Sequence, residues 1–338
     1  MRAPRIFCPA TFFAITVGTT SASAQEAARI ALPDGRTLEV LGLRRWTVAM
    51  IQDSLARYAP HDSLQSHACA AVLRYKLGFA DASSTTFVAP DGTSRVVVAV
   101  REPQDSTRVR YRLVKLDSLH SRVDWRVATD IMQRRPDIFW RATQNYLRHD
   151  RSATLTWRSR EDSTAAAALV GFLSTRTSPN DLRTARRVLS ASSNMYDRAI
   201  AALVLANFPQ RDEAWWALVE ALREIDGPVK SVAAATLVAM SRGHPRRVPW
   251  TPVASGIHAM LDGTSLFEVP ALLEVLARTQ AGPKDAIGFL RNGGDMVVRY
   301  LDSSEPSLAS GSRTLLVQLH GGDLGSSSQA WRDWIATL

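Results

Sequence analysis

The chain has 338 residues, 46% of them hydrophobic and 22% charged, and its 41 basic residues outnumber 32 acidic ones for a net charge of +9. This is enough apolar material for packed cores and enough length for two domains. It excludes a disordered chain, and two cysteines exclude a disulfide framework.

Arg2 and Arg5 precede an apolar run from Ile6 to Val17, and Ala22 and Ala24 then place small residues before Gln25. This layout predicts a secretory signal cleaved after Ala24, and so a protein exported to the periplasm or beyond the cell. The run is too short and too rich in threonine to cross a bilayer, and no later segment reaches the roughly 20 apolar residues that crossing needs. Residues 1–24 carry two arginines and no acid, so cleavage lowers the net charge from +9 to +7. Cys69 is then the sole cysteine, and its neighbours Ala68, Ala70, Ala71 and Val72 predict a buried helix position. Lysine occurs only at Lys76, Lys115, Lys230 and Lys284, yet the arginines are scattered among acids. They predict a solvated basic surface without a nucleic-acid partner.

Residues Arg29 to Leu32, the turn Pro33-Asp34-Gly35 and Thr37 to Leu43 predict a hairpin. A helix capped by Thr47 carries Val48, Met50, Ile51, Leu55 and Tyr58 on one face and closes at Pro60. A second opens at Asp62 or Ser63 and ends at Gly78. Strands follow at Thr85 to Ala89 and Arg95 to Arg101, joined by Pro90-Asp91-Gly92, and Arg108 to Val114 is a candidate for one more. The order strand, helix, helix, strand, strand predicts a small sheet with two helices on one face. Leu41-Gly42-Leu43-Arg44-Arg45, Leu73 to Ala82 and Val96 to Pro103 resemble the POTRA domains of outer-membrane assembly and secretion proteins. The resemblance covers residues 36–103. It implies a periplasmic module that binds other polypeptides, partly by adding their strands to its sheet edge.

Strand signals fade after Ser118. Helices are predicted at Ser118 to Met132, Pro136 to His149, Ser163 to Ser174, Pro179 to Ser190, Asn194 to Asn207, Asp212 to Ile225 and Pro228 to Ser241. Others follow at Pro252 to Leu261, Ser265 to Thr279, Pro283 to Arg291, Pro306 to His320 and Ser327 to Thr337. The polar stretch Asp150 to Asp162 is a linker candidate. Ala199, Ala201, Leu203 and Val204 superpose on Ala233, Ala235, Leu237 and Val238 at a shift of 34. Ala235, Leu237 and Met240 fall on Ala271, Leu273 and Leu276 at 36, and Leu273 falls on Leu316 at 43. Such periods predict helix pairs stacked into an α-solenoid. The run Val229 to Leu237 resembles the second helix of a HEAT repeat, and Trp331 with Trp334 resembles the closing turn of bacterial HEAT-repeat proteins.

The fold class is therefore a small α+β domain followed by an all-α HEAT-like α-solenoid. Its divisions are a signal at 1–24, a POTRA-like domain at 25–115, a helical connector at 116–162 and repeats at 163–338.

Little in the sequence carries chemistry. Leu316 to Leu319 followed by His320-Gly321-Gly322 is similar to an esterase oxyanion loop, but no Gly-x-Ser-x-Gly elbow follows. A glycine-closed helix end is the better reading. His61 and His67 lack metal-ligand spacing, and Asn292-Gly293-Gly294 reads as a turn without a phosphate-loop pattern. No catalytic, cofactor-binding or metal residue is singled out. Trp215 and Trp216 point about a hundred degrees apart on a helix, so one can enter the core while the other faces a groove, the favoured alternative being that both pack between layers. With Arg198 and Lys230 on the adjoining helices, they are the binding candidates. The expected function is an exported, non-catalytic scaffold for protein partners in the cell envelope. The alternative is a secreted hydrolase built from scattered Asp, His and Ser.

Overall fold

The computed structural model describes residues 28–31, 35–60, 68–89, 91–114, 125–148, 157–281 and 283–338. The expected signal, His61, His67 and most of the expected linker lie outside them. Strands β1 (Ala28–Ala31) and β2 (Thr37–Leu41) form the expected hairpin, with Ala31 opposite Thr37. Helix α1 (Val48–Tyr58) starts at Thr47, whose hydroxyl accepts from the Met50 N–H, and α2 (Ala68–Tyr75) follows. Strands β3 (Asp81–Val88) and β4 (Ser94–Arg101) make a second hairpin, and β2 pairs in parallel with β4, giving the order β1-β2-β4-β3. At its turn the Asp91 carboxylate accepts from the Thr93 N–H at 2.9 Å and Gly92 takes φ +83°.

One face of this sheet packs as expected: Leu38, Val40, Val96, Val98 and Val100 meet Ile51 and Leu55 of α1 and Cys69 and Leu73 of α2. Cys69 is fully buried, as its alanine-rich neighbours predict, and forms no disulfide among the described residues. The other face is covered too, which the two-helix expectation missed. Leu41, Val97 and Ala99 belong to the core of the helical part. Val96 to Val100 are each 3% exposed or less, so the strand is dry on both sides. Each such side chain contributes about 1.5 to 3 kcal/mol of burial, and an uninterrupted apolar strand gains that only between two layers.

The expected further strand at Arg108 to Val114 does not form. A 3-10 turn spans Pro103–Arg108, and the chain then runs on as an extended strap. Its alternate arginines reach the carboxyl ends of helices instead of a neighbouring strand. Arg112 donates to the Leu189 carbonyl at 2.9 Å, and its backbone N–H donates to the Arg223 carbonyl at 2.7 Å. Arg108 and Arg110 hold Asp262 at 3.2 and 2.7 Å. Those ends carry unpaired carbonyls and the negative pole of the helix dipole, so cations suit them.

Helices α3 (Arg126–Arg134), α4 (Pro136–Leu147) and α5 (Arg160–Ser174) pack together at the start of the helical part. Then come α6 (Pro179–Ala191), α7 (Met195–Val204), α8 (Asp212–Ala221), α9 (Gly227–Gly243) and α10 (Ala254–Leu261). The last are α11 (Val269–Arg278), α12 (Pro283–Leu301), α13 (Pro306–His320) and α14 (Ser328–Thr337). Two layers result. Helices α7, α9, α11 and α13 stack in one, and α6, α8, α10, α12 and α14 stack in the other. The first layer is the set related by the shifts of 34, 36 and 43, because each of those helices repeats the position that faces its neighbour. Val229, Val232, Ala233, Thr236, Leu237 and Met240 of α9 are all buried as the stripe predicts.

Gly293 and Gly294 lie inside α12 rather than in a turn. A Cβ on Gly294 would sit 3.1 Å from Ile335, so the small residue admits α14 at close range. Gly321, at φ +82°, closes α13, and the His-Gly-Gly string is a helix end. Trp331 is fully buried and stacks edge-on with Trp334 at 5.8 Å, covering the last turn of the stack.

A buried carboxylate joins sheet to stack. Glu39 of β2 is 0% exposed and accepts from Ser303 Oγ at 2.7 Å and Ser304 N at 2.9 Å, in the link between α12 and α13. Arg29 Nε answers its charge at 3.1 Å. At a second junction, Gly263 at φ +113° leaves room for the buried side chain of Arg101, the last residue of β4, which a Cβ would meet at 2.0 Å. Glu39→Ala strands those donors. Urea unfolding is expected to show a loss of about 3 kcal/mol for Glu39→Ala and about half that for Glu39→Gln, whose amide oxygen still accepts. Equal losses would contradict the hydrogen-bond account.

Candidate functional site

Where the second sheet face meets the stack, the covering is incomplete. A cleft of about 790 Å³ opens between β3 and β4 on one side and α9, α11 and α13 on the other. Its floor is apolar, formed by Phe87, Val97, Ala99, Leu266, Ala271 and Leu308, and hydroxyls of Ser83, Thr85, Ser307, Ser310 and Thr314 surround it. The alternation of β3 puts Ser83, Thr85 and Phe87 on this face together. Among the described strands β3 is an outer edge, so the cleft lies beside backbone that pairs with β4 on one side only. Phe267 stands at the rim, 52% exposed.

Three charged groups mark one end. Arg242 of α9 holds Glu274 of α11 through two hydrogen bonds, at 2.7 and 2.9 Å, and Arg278 adds a third at 2.9 Å. Burial opposes the charge of Glu274, but the hydrogen bonds from Arg242 and Arg278 outweigh it and hold its carboxyl below the usual range. Two guanidinium groups share one carboxylate, which leaves this end net positive.

Behind the cleft lies a closed polar cluster. Asp81 accepts from the Leu266 N–H at 3.1 Å and pairs with Arg74 at 3.6 Å. Lys230 Nζ is 3.9 Å from Glu268 Oε2 and 5.5 Å from the centre of the Tyr111 ring. Among the described residues no hydrogen bond reaches Glu268 Oε2, and burial pushes its carboxyl up to about 7 against the pull of the Lys230 ammonium. Burial, followed by the Asp81 carboxylate, likewise raises the Tyr111 hydroxyl. Ser265, entering this corner, takes the left-handed conformation at φ 55°.

The four residues singled out from the sequence do not converge. Trp215 is fully buried, edge-on to Trp250 at 6.3 Å, and donates to the Pro209 carbonyl at 2.9 Å. Arg198 is 2% exposed, with Nε donating to Glu224 at 2.9 Å, Nη1 to the Ser192 carbonyl at 2.6 Å and Nη2 to Asp226. Lys230 belongs to the closed cluster, with its helix position set by the α9 stripe. Only Trp216 is half-exposed. It lines a separate groove with Arg183, Arg186 and Arg187, and its indole N–H donates to the Pro249 carbonyl at 2.7 Å. One tryptophan is thus in the core and the other half-buried beside a groove, an arrangement that their angular offset allows but does not require, and not the packing of both between layers.

The sheet-side cleft was not foreseen. Its signals were present in Glu274 and Arg278 one turn apart and in the double-sided strand Val96 to Val100, but nothing local ties them to Arg242 or Phe87. The described histidines lie away from it: His258 sits edge-on to Phe289 at 5.3 Å, and His320 Nδ1 is 2.7 Å from the Gly322 carbonyl. Among the described residues no three of His, Cys, Asp and Glu gather as a metal site, and no helix is long and apolar enough to cross a membrane. No family model, no curated protein and no solved structure matches the chain.

The Glu268 carboxyl gives a pH signature. Its folded value of about 7 lies above the ordinary value of about 4.3, so between them the folded chain holds more protons than the unfolded one. Stability therefore falls as pH rises through that window. Thermal unfolding from about pH 5 to about pH 8 is expected to show a decline in wild type that Glu268→Gln lacks. Parallel curves for the two proteins would contradict it.

Proposed function

We propose that the chain is an exported, non-catalytic binding scaffold, in which HEAT-like helix pairs and a POTRA-like sheet together hold an extended polypeptide segment of a partner in the cell envelope. The observation that carries this reading is the cleft itself: an apolar floor with a hydroxyl-rich wall, running beside an edge strand. Sheet edges recruit strands through main-chain hydrogen bonds, and pockets alongside them select alternate side chains. The inner helix layer is in contact with the protein's own sheet through Leu41, Val97 and Ala99, which narrows the binding surface to the part left open. No His, Cys or Asp lines that part, and its one acid, Glu274, is committed to two arginines. Such a lining favours binding over chemistry.

A library of linear peptides selected on the protein is expected to yield segments with alternating apolar residues. Ala271→Glu, which places a carboxylate on the cleft floor, should weaken them by about tenfold or more. Val88→Ser, on the exposed opposite side of the edge strand, should leave them unchanged. Enriched peptides indifferent to Ala271→Glu would contradict the proposal, as would failure to enrich any.

A further inference from the structure

The groove that holds Trp216 differs in character from the sheet-side cleft. It has a volume of about 480 Å³ and lies between α6, α8 and the turn at Val253, in the other helix layer. Arg183, Arg186 and Arg187 line it at spacings of three and four residues, so they emerge on one face of α6. All three side chains are exposed, and none makes a salt bridge or side-chain hydrogen bond among the described residues, although the Arg186 charge helps hold the Glu213 carboxyl below its usual range, after the hydrogen bonds from the Glu213 backbone and Arg211. Many other arginines among the described residues have a carboxylate: Arg112, in the same groove, holds Glu224 at 2.6 Å, and Arg211 holds Glu213 at 3.4 Å. Three like charges grouped on one helix face cost stability unless something answers them. Opposite them Trp216 presents its ring, since its N–H is already taken by Pro249. Two further lining groups, Glu213 and Glu220, are carboxylates already paired with Arg211 at 3.4 Å and Arg223 at 3.6 Å, each keeping oxygen lone pairs to accept a further N–H.

This pattern selects among anions. A dense polyanion would bring phosphate or sulfate against Glu213 and Glu220. A peptide with spaced carboxylates can give those to the arginines, offer backbone N–H groups to the two glutamates, and lay an apolar side chain on the indole. Guanidinium groups match carboxylates with paired N–H donors, and aromatic faces take apolar or planar groups. We propose that the groove between α6 and α8 is a second binding site, taking an acidic polypeptide segment through Arg183, Arg186, Arg187 and Trp216. It shares with the proposed function only the premise that the partner is a polypeptide, and stands on a separate surface.

Fluorescence anisotropy with a labelled peptide of alternating Glu and Leu tests it on the full-length protein. The peptide should bind, and its Gln and Leu counterpart should bind about tenfold more weakly or worse. The triple substitution Arg183→Gln, Arg186→Gln, Arg187→Gln and, separately, Trp216→Ala should each weaken binding by a similar factor, while Trp216→Phe retains it. The triple variant alters only exposed side chains and removes their mutual repulsion, so a melting temperature equal to or above that of wild type separates lost binding from lost fold. Ala271→Glu, in the other cleft, should change nothing here, so failure of one site is distinguishable from failure of the other. The proposal is overturned if the acidic peptide does not bind wild type, if the triple variant binds it equally, or if inorganic polyphosphate displaces it from wild type at lower charge concentration than free acidic peptide does.

Discussion

The structure depends on a strand that must be dry on both sides. Val96 to Val100 leave β4 with no face that tolerates water, so the sheet cannot end as a layer with helices on one side. The stack of α7, α9, α11 and α13 has the complementary need, because each of its helices buries a stripe only by lying against something. Leu41, Val97 and Ala99 meet that need on one side and Leu308 and Leu266 on the other. Glu39 then fixes the relative placement. Its carboxylate is withdrawn from water only where Ser303, Ser304 and Arg29 can receive it.

The strap between the two parts follows the same logic. Arg108, Arg110 and Arg112 alternate along extended backbone, a spacing of two that in a sheet would place them all on one face. Here that face is turned to the carboxyl ends of α6, α8 and α10, whose carbonyls and neighbouring acids accept them. The residue between, Tyr111, faces the other way, over Lys230 and within 5.7 Å of Arg74. One short segment thus ties the outer layer and the buried polar corner to the sheet. The cleft is what remains where β3, the outer edge, overhangs α11 and α13 without touching them closely.

Much of the architecture was legible in the sequence because it is written in local patterns. Thr47, Asp91-Gly92, Pro179, Pro228 and Gly321 mark boundaries through capping and turn chemistry, and the repeat of alanines and leucines marks which helices stack. What was not legible is non-local. Arg108 to Val114 has the alternation of a strand and is a candidate for one on its own residues, since nothing in them tells that helix ends will replace a strand partner. Gly293-Gly294 has the look of a turn until Ile335 is seen against it. Arg198 and Lys230 looked available because burial of a charge depends on Glu224, Asp226 and Glu268, which lie 26, 28 and 38 residues away. The cleft drew on four separate segments and could not be read from any one of them. The angular separation of Trp215 and Trp216 was legible, because it is a local quantity, but which of them would border a groove was not.

The central claim is that the sheet, through Leu41, Val97 and Ala99, joins the core of the helical stack and that the two fold as one body. Hydrogen exchange of backbone amides in rising, sub-denaturing urea tests it most directly. The account predicts that the amides of β4 and those of α9, α11 and α13 open with the same free energy and the same urea dependence. Amides of the sheet that exchange through a smaller, separate opening while those helices stay protected would contradict it.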